Sequence, residues 1–174
     1  MGLMLGNPIP ERYELIDGVI YDMTPSPTST HQRISGHFHA VFWWYLKGKS
    51  CEVFSAPFDV YLKDGVDEWV IPDLTVICDK SKIQEKGCVG APDLVVEILS
   101  KTTAVKDRKV KLKLYRTAGV KEYWIVDPYG ETVEVYKFGD GVDSLPDVYG
   151  VGDVMNVGLF ADLQITLSEV FTFA

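Results

Sequence analysis

Hydrophobic and polar positions follow two periods in this chain, one near two residues and one near three and a half. Tyr13–Ile16 and Val19–Met23 are short β-type runs around Asp17-Gly18, a dipeptide whose tolerance of positive φ suits a tight hairpin turn. The breaker stretch Thr24–Thr30 ends in several possible N-cap residues. From His31 to Lys47 the residues Ile34, Phe38, Val41, Phe42, Tyr45 and Leu46 keep one apolar helical stripe, closed by Gly48. β-Type runs return at Cys51–Phe54, Phe58–Leu62, Trp69–Cys78 and Leu94–Leu99. The last two are apolar nearly throughout, the pattern of central strands covered on both faces. Past Ser100 the spacing is helical again. Thr102 or Thr103 can cap, Val110, Leu112, Leu114 and Ala118 are the apolar positions, and Gly119 can end the helix.

Tyr123–Val126 predicts a third buried strand, stopped by Asp127-Pro128, and Thr132–Phe138 predicts another. Gly139–Gly158 is rich in Gly and Asp and reads as loop with room for one short strand. Phe160–Leu163 and Ser168–Phe173 read as a final strand and a helical turn. The order predicts one α/β (α+β) domain over residues 1–174. It has a mixed central β-sheet flanked by helices, an N-terminal β-hairpin, an extension at 1–10 and a core at 11–171.

Composition narrows the class. The 174 residues are 47% hydrophobic and 24% charged, enough apolar content for one proper core and too short a chain for two comfortable ones. The stretch MGLMLGNPIPERYEL has no positive n-region and holds two prolines within its first ten residues. Neither a signal peptide nor a membrane span is expected there or later, so no membrane partner is expected and a cytoplasmic location is. Three cysteines, Cys51, Cys78 and Cys88, without CxxC spacing predict reduced thiols and no structural zinc site.

Two acids stand out in apolar company: Asp73 in Trp69–Ile77 and Glu97 in Leu94–Leu99. Burial of an unpartnered polar group costs roughly 2–7 kcal/mol, so a cation is expected near each. Pro72 cannot donate to a ladder, and the strand should splay there. If the two runs are neighbours, both carboxylates converge, and two carboxylates with a main-chain carbonyl are the oxygen donors that Mg²⁺ prefers. On the following helix Asp107, Lys111 and Tyr115 are spaced by four and share a face, which would bring a lysine ammonium to the same place. Each residue alone has a structural explanation, a strand end or an i,i+4 pair. Together they favour metal-assisted hydrolysis of a phosphoester.

Here the sequence resembles a known family. Glu11–Gly18 (ERYELIDG), the proline-rich turn followed by His31, Ile71–Leu74 (IPDL), Pro92–Ser100 (PDLVVEILS), Asp107…Lys111…Tyr115 and Gly119–Pro128 (GVKEYWIVDP) all match the Uma family of restriction endonucleases, within the PD-(D/E)XK nuclease superfamily. The match spans about Glu11 to Phe171. The resemblance implies a restriction-endonuclease-like core and a Mg²⁺-dependent (or Mn²⁺-dependent) DNA endonuclease without an organic cofactor. Asp73 and Glu97 would be metal carboxylates, with the Ile98 backbone carbonyl as a third ligand. The superfamily's usual lysine position is Leu99 here, and Lys111 occupies the helix position to which the family moves its lysine. Glu14 would add an acid, His31 would contact a phosphate or cap the helix, and Tyr115 would hydrogen-bond in the site or pack in the core. The alternative is a nuclease-fold module with weak or no catalysis that binds nucleic acid or serves assembly.

Charge and aromatics complete the expectations. The net charge is −8, yet Lys101–Lys121 alone carries +7 and the remainder −15, so a phosphate-binding strip lies on an acidic body. Phe42, Trp43, Trp44 and Tyr45 cover several helix faces, for which core packing plus a dimer interface is preferred to base stacking. A homodimer would also suit cutting both strands of a duplex.

Overall fold

The computed structural model describes residues 2–3, 10–63, 68–139 and 145–172. In chain order they form β1 (Gly2–Leu3), β2 (Tyr13–Ile16), β3 (Val19–Asp22), α1 (Ser29–Leu46), β4 (Glu52–Ser55), β5 (Val60–Tyr61) and β6 (Leu74–Ile77). A 3₁₀ turn, Lys80–Lys82, leads to β7 (Ile83–Gln84), β8 (Gly87–Val89) and β9 (Leu94–Ile98). The second helical stretch has three parts: α2 (Ala104–Lys106), a π-turn (Asp107–Lys111) and α3 (Leu112–Ala118). Then come β10 (Glu122–Asp127), β11 (Thr132–Lys137), β12 (Asp147–Gly150), β13 (Val154–Asn156), β14 (Gln164–Thr166) and α4 (Leu167–Phe171).

The centre is a six-stranded mixed sheet in the order β12-β11-β10-β9-β6-β4, with β10 and β9 parallel and the other neighbours antiparallel. β6 and β9 are buried along their whole length. Side chains alternate across a strand, so these strands feed two cores. Leu74, Val76, Leu94, Val96 and Trp124 face Phe38 and Phe42 of α1. Ile77, Val95, Tyr123 and Ile125 face Tyr115 and the partly buried Leu112 and Leu114 of α3. Each fully buried large apolar side chain contributes about 1.5–3 kcal/mol. The sheet is therefore clamped from both sides, as its unbroken apolar runs require.

Local signals act where expected. Asp17 (φ 49°) and Gly18 (φ 71°) take the left-handed conformations that close the β2–β3 hairpin. Thr28 caps α1 by accepting the His31 N–H, and Gly119 (φ 90°) ends α3. The run Trp69–Cys78 is interrupted at Pro72: Trp69 and Val70 make isolated bridges to Leu15 and Val60, and the regular strand begins only at Leu74.

Three expectations are corrected. Gly139–Gly158 holds two strands, β12 and β13, because Val133 and Tyr149 pair across the sheet edge and Met155 fills the α1-side core; residues 140–144 lie outside the described residues. The final strand falls at Gln164–Thr166 and not at Phe160–Leu163, which forms turns, while Phe173 also lies outside the described residues. Leu163 still packs in the core. Cys51 and Cys78 are joined in a disulfide between β4 and β6, which runs antiparallel to it, and Cys88 is a buried free thiol. Sequence spacing of 27 hid this pairing, since only the strand register places the two residues opposite each other. No helix among the described residues is long and apolar enough to cross a membrane.

Candidate active site at the end of the central strands

The site is built where β6 and β9 meet. Leu74 pairs with Val96, so one step back along the same register Asp73 lies opposite Glu97. The splay at Pro72 gives Asp73 the freedom to turn its carboxylate inward. Asp73 Oδ2 accepts the Ile98 N–H at 2.7 Å and sits 3.1 Å from His31 Nε2. His31 stands in the first turn of α1, so this helix reaches the site through its N-terminal end.

Glu97 is held from the opposite helical layer. Its Oε1 accepts the Lys111 ammonium at 2.6 Å and the Tyr115 hydroxyl at 2.7 Å. Lys111 is 2% exposed. It also lies 2.6 Å from Glu14 Oε1 and 3.9 Å from Asp107 Oδ1. Glu14, on β2, is wholly buried. It accepts the Ile71 N–H at 3.0 Å and pairs through its other oxygen with Lys106 at 2.7 Å. The hairpin thus crosses over the site and tethers two lysines.

The π-turn explains the alignment. In an α-helix four residues overshoot one turn by about 40°, so Asp107, Lys111 and Tyr115 would drift apart around the axis. The wider i→i+5 winding of Asp107–Lys111 reduces that drift and leaves all three side chains buried on one face. It also brings Lys106 and Lys111, five apart, to the two oxygens of one carboxylate.

Four acids (Glu14, Asp73, Glu97, Asp107) face two lysines in this buried volume. Burial pushes the Glu97 carboxyl up to about 8; Lys111 opposes the rise, while Asp107, Asp73 and Glu14 add to it. Burial also raises Asp107, whose Oδ1 is buried without a hydrogen-bond partner. Glu14 is pressed upward by burial, yet the charges of Lys111 and Lys106 outweigh this and hold it below its ordinary value. Burial would lower Lys111, but Glu14, Glu97 and Asp107 hold it well above the usual lysine range, so it stays an ammonium. His31 is raised in the same way, burial being outweighed by Asp73.

The donor chemistry fits a hard divalent cation in part. Asp73 and Glu97 each give one oxygen to protein donors and keep a second, and the acid excess leaves charge for a cation to neutralise. Among the described residues no group of three or more His, Cys, Asp or Glu is placed to hold a metal ion, so carbonyl and water oxygens would have to complete the shell.

All six candidate side chains thus fall in one buried cluster, with Asp73 and His31 on one flank and Glu97, Lys111, Tyr115 and Glu14 on the other. Glu97 has the cation that burial demanded, and Asp73 has the His31 ring and the Ile98 N–H as its partners. Leu99 points into the α3-side core and takes no part. The tie of Lys106 to Glu14 escaped the sequence reading, because an α-helical wheel places Lys106 away from Lys111. The basic strip is weaker than its +7 suggested. Lys106 pairs with Glu14, Arg108 with Glu134 and Asp127, Lys111 with Glu14 and Glu97, and Lys121 with Asp93. Of the helix aromatics Phe42 is core, whereas Trp43 and Trp44 are 47% and 67% exposed.

The mixed central sheet with its flanking helices is a nuclease-like fold. The chain superposes on the crystal structure of a putative nuclease belonging to DUF820 from Anabaena variabilis with a TM-score of 0.71. That likeness, at 24% identity over 91% of this chain and 89% of that one, speaks for the fold. Residues 5–168 match the Uma2 family model, described as "Putative restriction endonuclease", and the chain belongs to this family. Two relatives from Synechocystis sp. are both uncharacterized proteins. The protein slr1290 is 28% identical over 82% of this chain and 75% of its own length, and sll1609 is 26% identical over 80% of each.

Proposed function

We propose that the chain is a Mg²⁺-dependent endonuclease that hydrolyses DNA phosphodiester bonds. The observation that supports this reading most is Lys111: a wholly buried ammonium, 2.6 Å from both Glu97 and Glu14, beside a strand pair that apposes Asp73 and Glu97. Asp73 and Glu97, with the Ile98 carbonyl, would hold the cation. When bound, Mg²⁺ (or Mn²⁺) supplies a lowered water pKa and neutralises phosphoryl charge.

The protein's own groups have distinct tasks. His31 and the Ile98 N–H orient Asp73, and Tyr115 and Lys111 orient Glu97. Lys111 remains protonated, so it cannot accept a proton from water. It contributes a fixed positive charge toward the charge that develops on the phosphoryl oxygens. Glu14 positions Lys111 from the far side and itself touches no substrate. Such preorganised charge in a buried site avoids reorganisation at the moment of reaction.

The test is nicking of supercoiled plasmid in Mg²⁺ or Mn²⁺. Conversion to open circles by the unmodified chain, lost in Asp73→Ala and Glu97→Ala, supports the reading. Absence of cleavage across metals and DNA forms overturns it. One observation favours the alternative of a binding or assembly module: Glu97 and Lys111 already satisfy each other as a closed pair.

A further inference from the structure

The outer face of α1 lies apart from the carboxylate cluster and carries an unusual charge pattern. Between Asp22 and Glu52 the chain has no acidic residue and three lysines or arginines (Arg33, Lys47 and Lys49), a local +3 in a chain of net −8. The exposed residues Arg33, Gly36, Ala40, Trp43 and Lys47 follow one another at spacings of three, four, three and four, so they lie on one helix face. Gly36 has open space where a side chain would stand, and Ala40 adds only a methyl group. The two indoles stand edge to face at 5.1 Å, with the Lys47 ammonium 5.5 and 5.3 Å from their rings. The C-terminal end is less positive, since Asp162 lies 4.0 Å from Lys49.

From this face we infer a docking strip for single-stranded nucleic acid: phosphates run along the smooth Gly36–Ala40 stretch and unpaired bases stack on Trp43 and Trp44. The inference rests on the nuclease reading and adds to it a substrate form. Arg33 to Trp43 spans about 15 Å of helix, the length of about four stacked nucleotides. His31, which bonds Asp73, lies in the first turn of the same helix but on its buried side, so the strip and the carboxylate cluster share one helix and not one face. A duplex hides its base faces and cannot use the indoles in this way, whereas base–aromatic stacking is tolerant of sequence. A second copy of the chain is the poorer occupant. In a two-fold contact this face would meet itself and set the cations of both copies together.

The experiment measures binding of a labelled 12-nucleotide oligo-dT and of a duplex of equal length by fluorescence anisotropy, in EDTA so that cleavage cannot intervene. Trp43→Ala and Trp44→Ala should each weaken oligo-dT binding about tenfold, the equivalent of about 1.4 kcal/mol. Duplex binding should change less than threefold. Trp43→Phe and Trp44→Phe should retain most of the affinity, and oligo-dT should quench indole emission in the unmodified chain. Unchanged oligo-dT affinity in the alanine variants overturns the strip. So does a shift from dimer to monomer in light scattering of those variants, which assigns the face to self-association. Plasmid nicking is scored separately. Cleavage without a tryptophan effect refutes only the strip, and a tryptophan effect without cleavage refutes only the nuclease reading.

Discussion

Replacing Lys111 by Met keeps the length of the side chain and removes the charge that three acids share. Lys111 is 2% exposed and contacts Glu14 and Glu97 at 2.6 Å, with Asp107 at 3.9 Å. Breaking a buried pair by deleting one partner costs about 3–5 kcal/mol, because the remaining charge has no solvent to turn to. For a chain of this size that amounts to roughly 6–20 °C in melting temperature. The loss should depend on pH. Without the ammonium, Glu97 rises further above its unfolded value, and Glu14 loses one of the two charges that hold it below its own. The Glu97 penalty applies only while that carboxyl is ionised, so protonation caps it as pH falls toward about 8. The larger loss is expected at pH 9.5. At pH 6.5 Glu97 carries a proton with or without Lys111, and a smaller loss should remain. Thermal melts of the unmodified chain and Lys111→Met, at both pH values and fixed ionic strength, read this directly. A melting temperature within about 2 °C of the parent at pH 9.5 would refute the reasoning, as would an equal loss at the two pH values.

Further expectations follow from the same contacts. Glu97, pushed up to about 8 by burial from an ordinary 4.5, contributes stability that is complete below about 4.5 and declines as pH rises through about 8. Melts between pH 5 and 9 should show this decline, and Glu97→Gln should flatten it. Glu14 behaves oppositely. Held below its ordinary value, it contributes stability above that value which is lost in acid, so Glu14→Gln should reduce the acid sensitivity seen in urea titrations. The Cys51–Cys78 bridge closes a separation of 27 residues, which in the loop-entropy account is worth about 3–4 kcal/mol. Thiol titration of the denatured, unreduced chain should find one free thiol, Cys88, and dithiothreitol should lower the melting temperature. Three titrating thiols would contradict the pairing.

Much of this arrangement was legible before any coordinates. Apolar runs without alternation marked β6 and β9 as strands covered on both faces, because a residue buried on either side has no reason to be polar. Asp-Gly marked the hairpin, since few other residues adopt two successive positive φ values cheaply. A carboxylate in each apolar run demanded a partner, which Lys111 supplies to Glu97 and His31 to Asp73. These are local consequences of solvation and backbone sterics, and each is carried by the residue itself.

Other features depended on the register and winding of distant segments. Glu14 lies 92 residues from Lys106, and nothing local indicates that a hairpin acid will hold two lysines of a later helix. The π-turn that lets it do so is a choice between nearly equal backbone windings, settled by which side chains it buries. Pairing of Cys51 with Cys78 followed from strand order, and the apparent +7 of Lys101–Lys121 shrank once Glu134, Asp127, Asp93 and Glu14 arrived from elsewhere in the chain. The sequence by itself determined which residues needed partners, because burial and charge are priced residue by residue. Tertiary structure alone decided which partners they found, because electrostatic pairing acts over a few ångströms of space and is indifferent to separation along the chain.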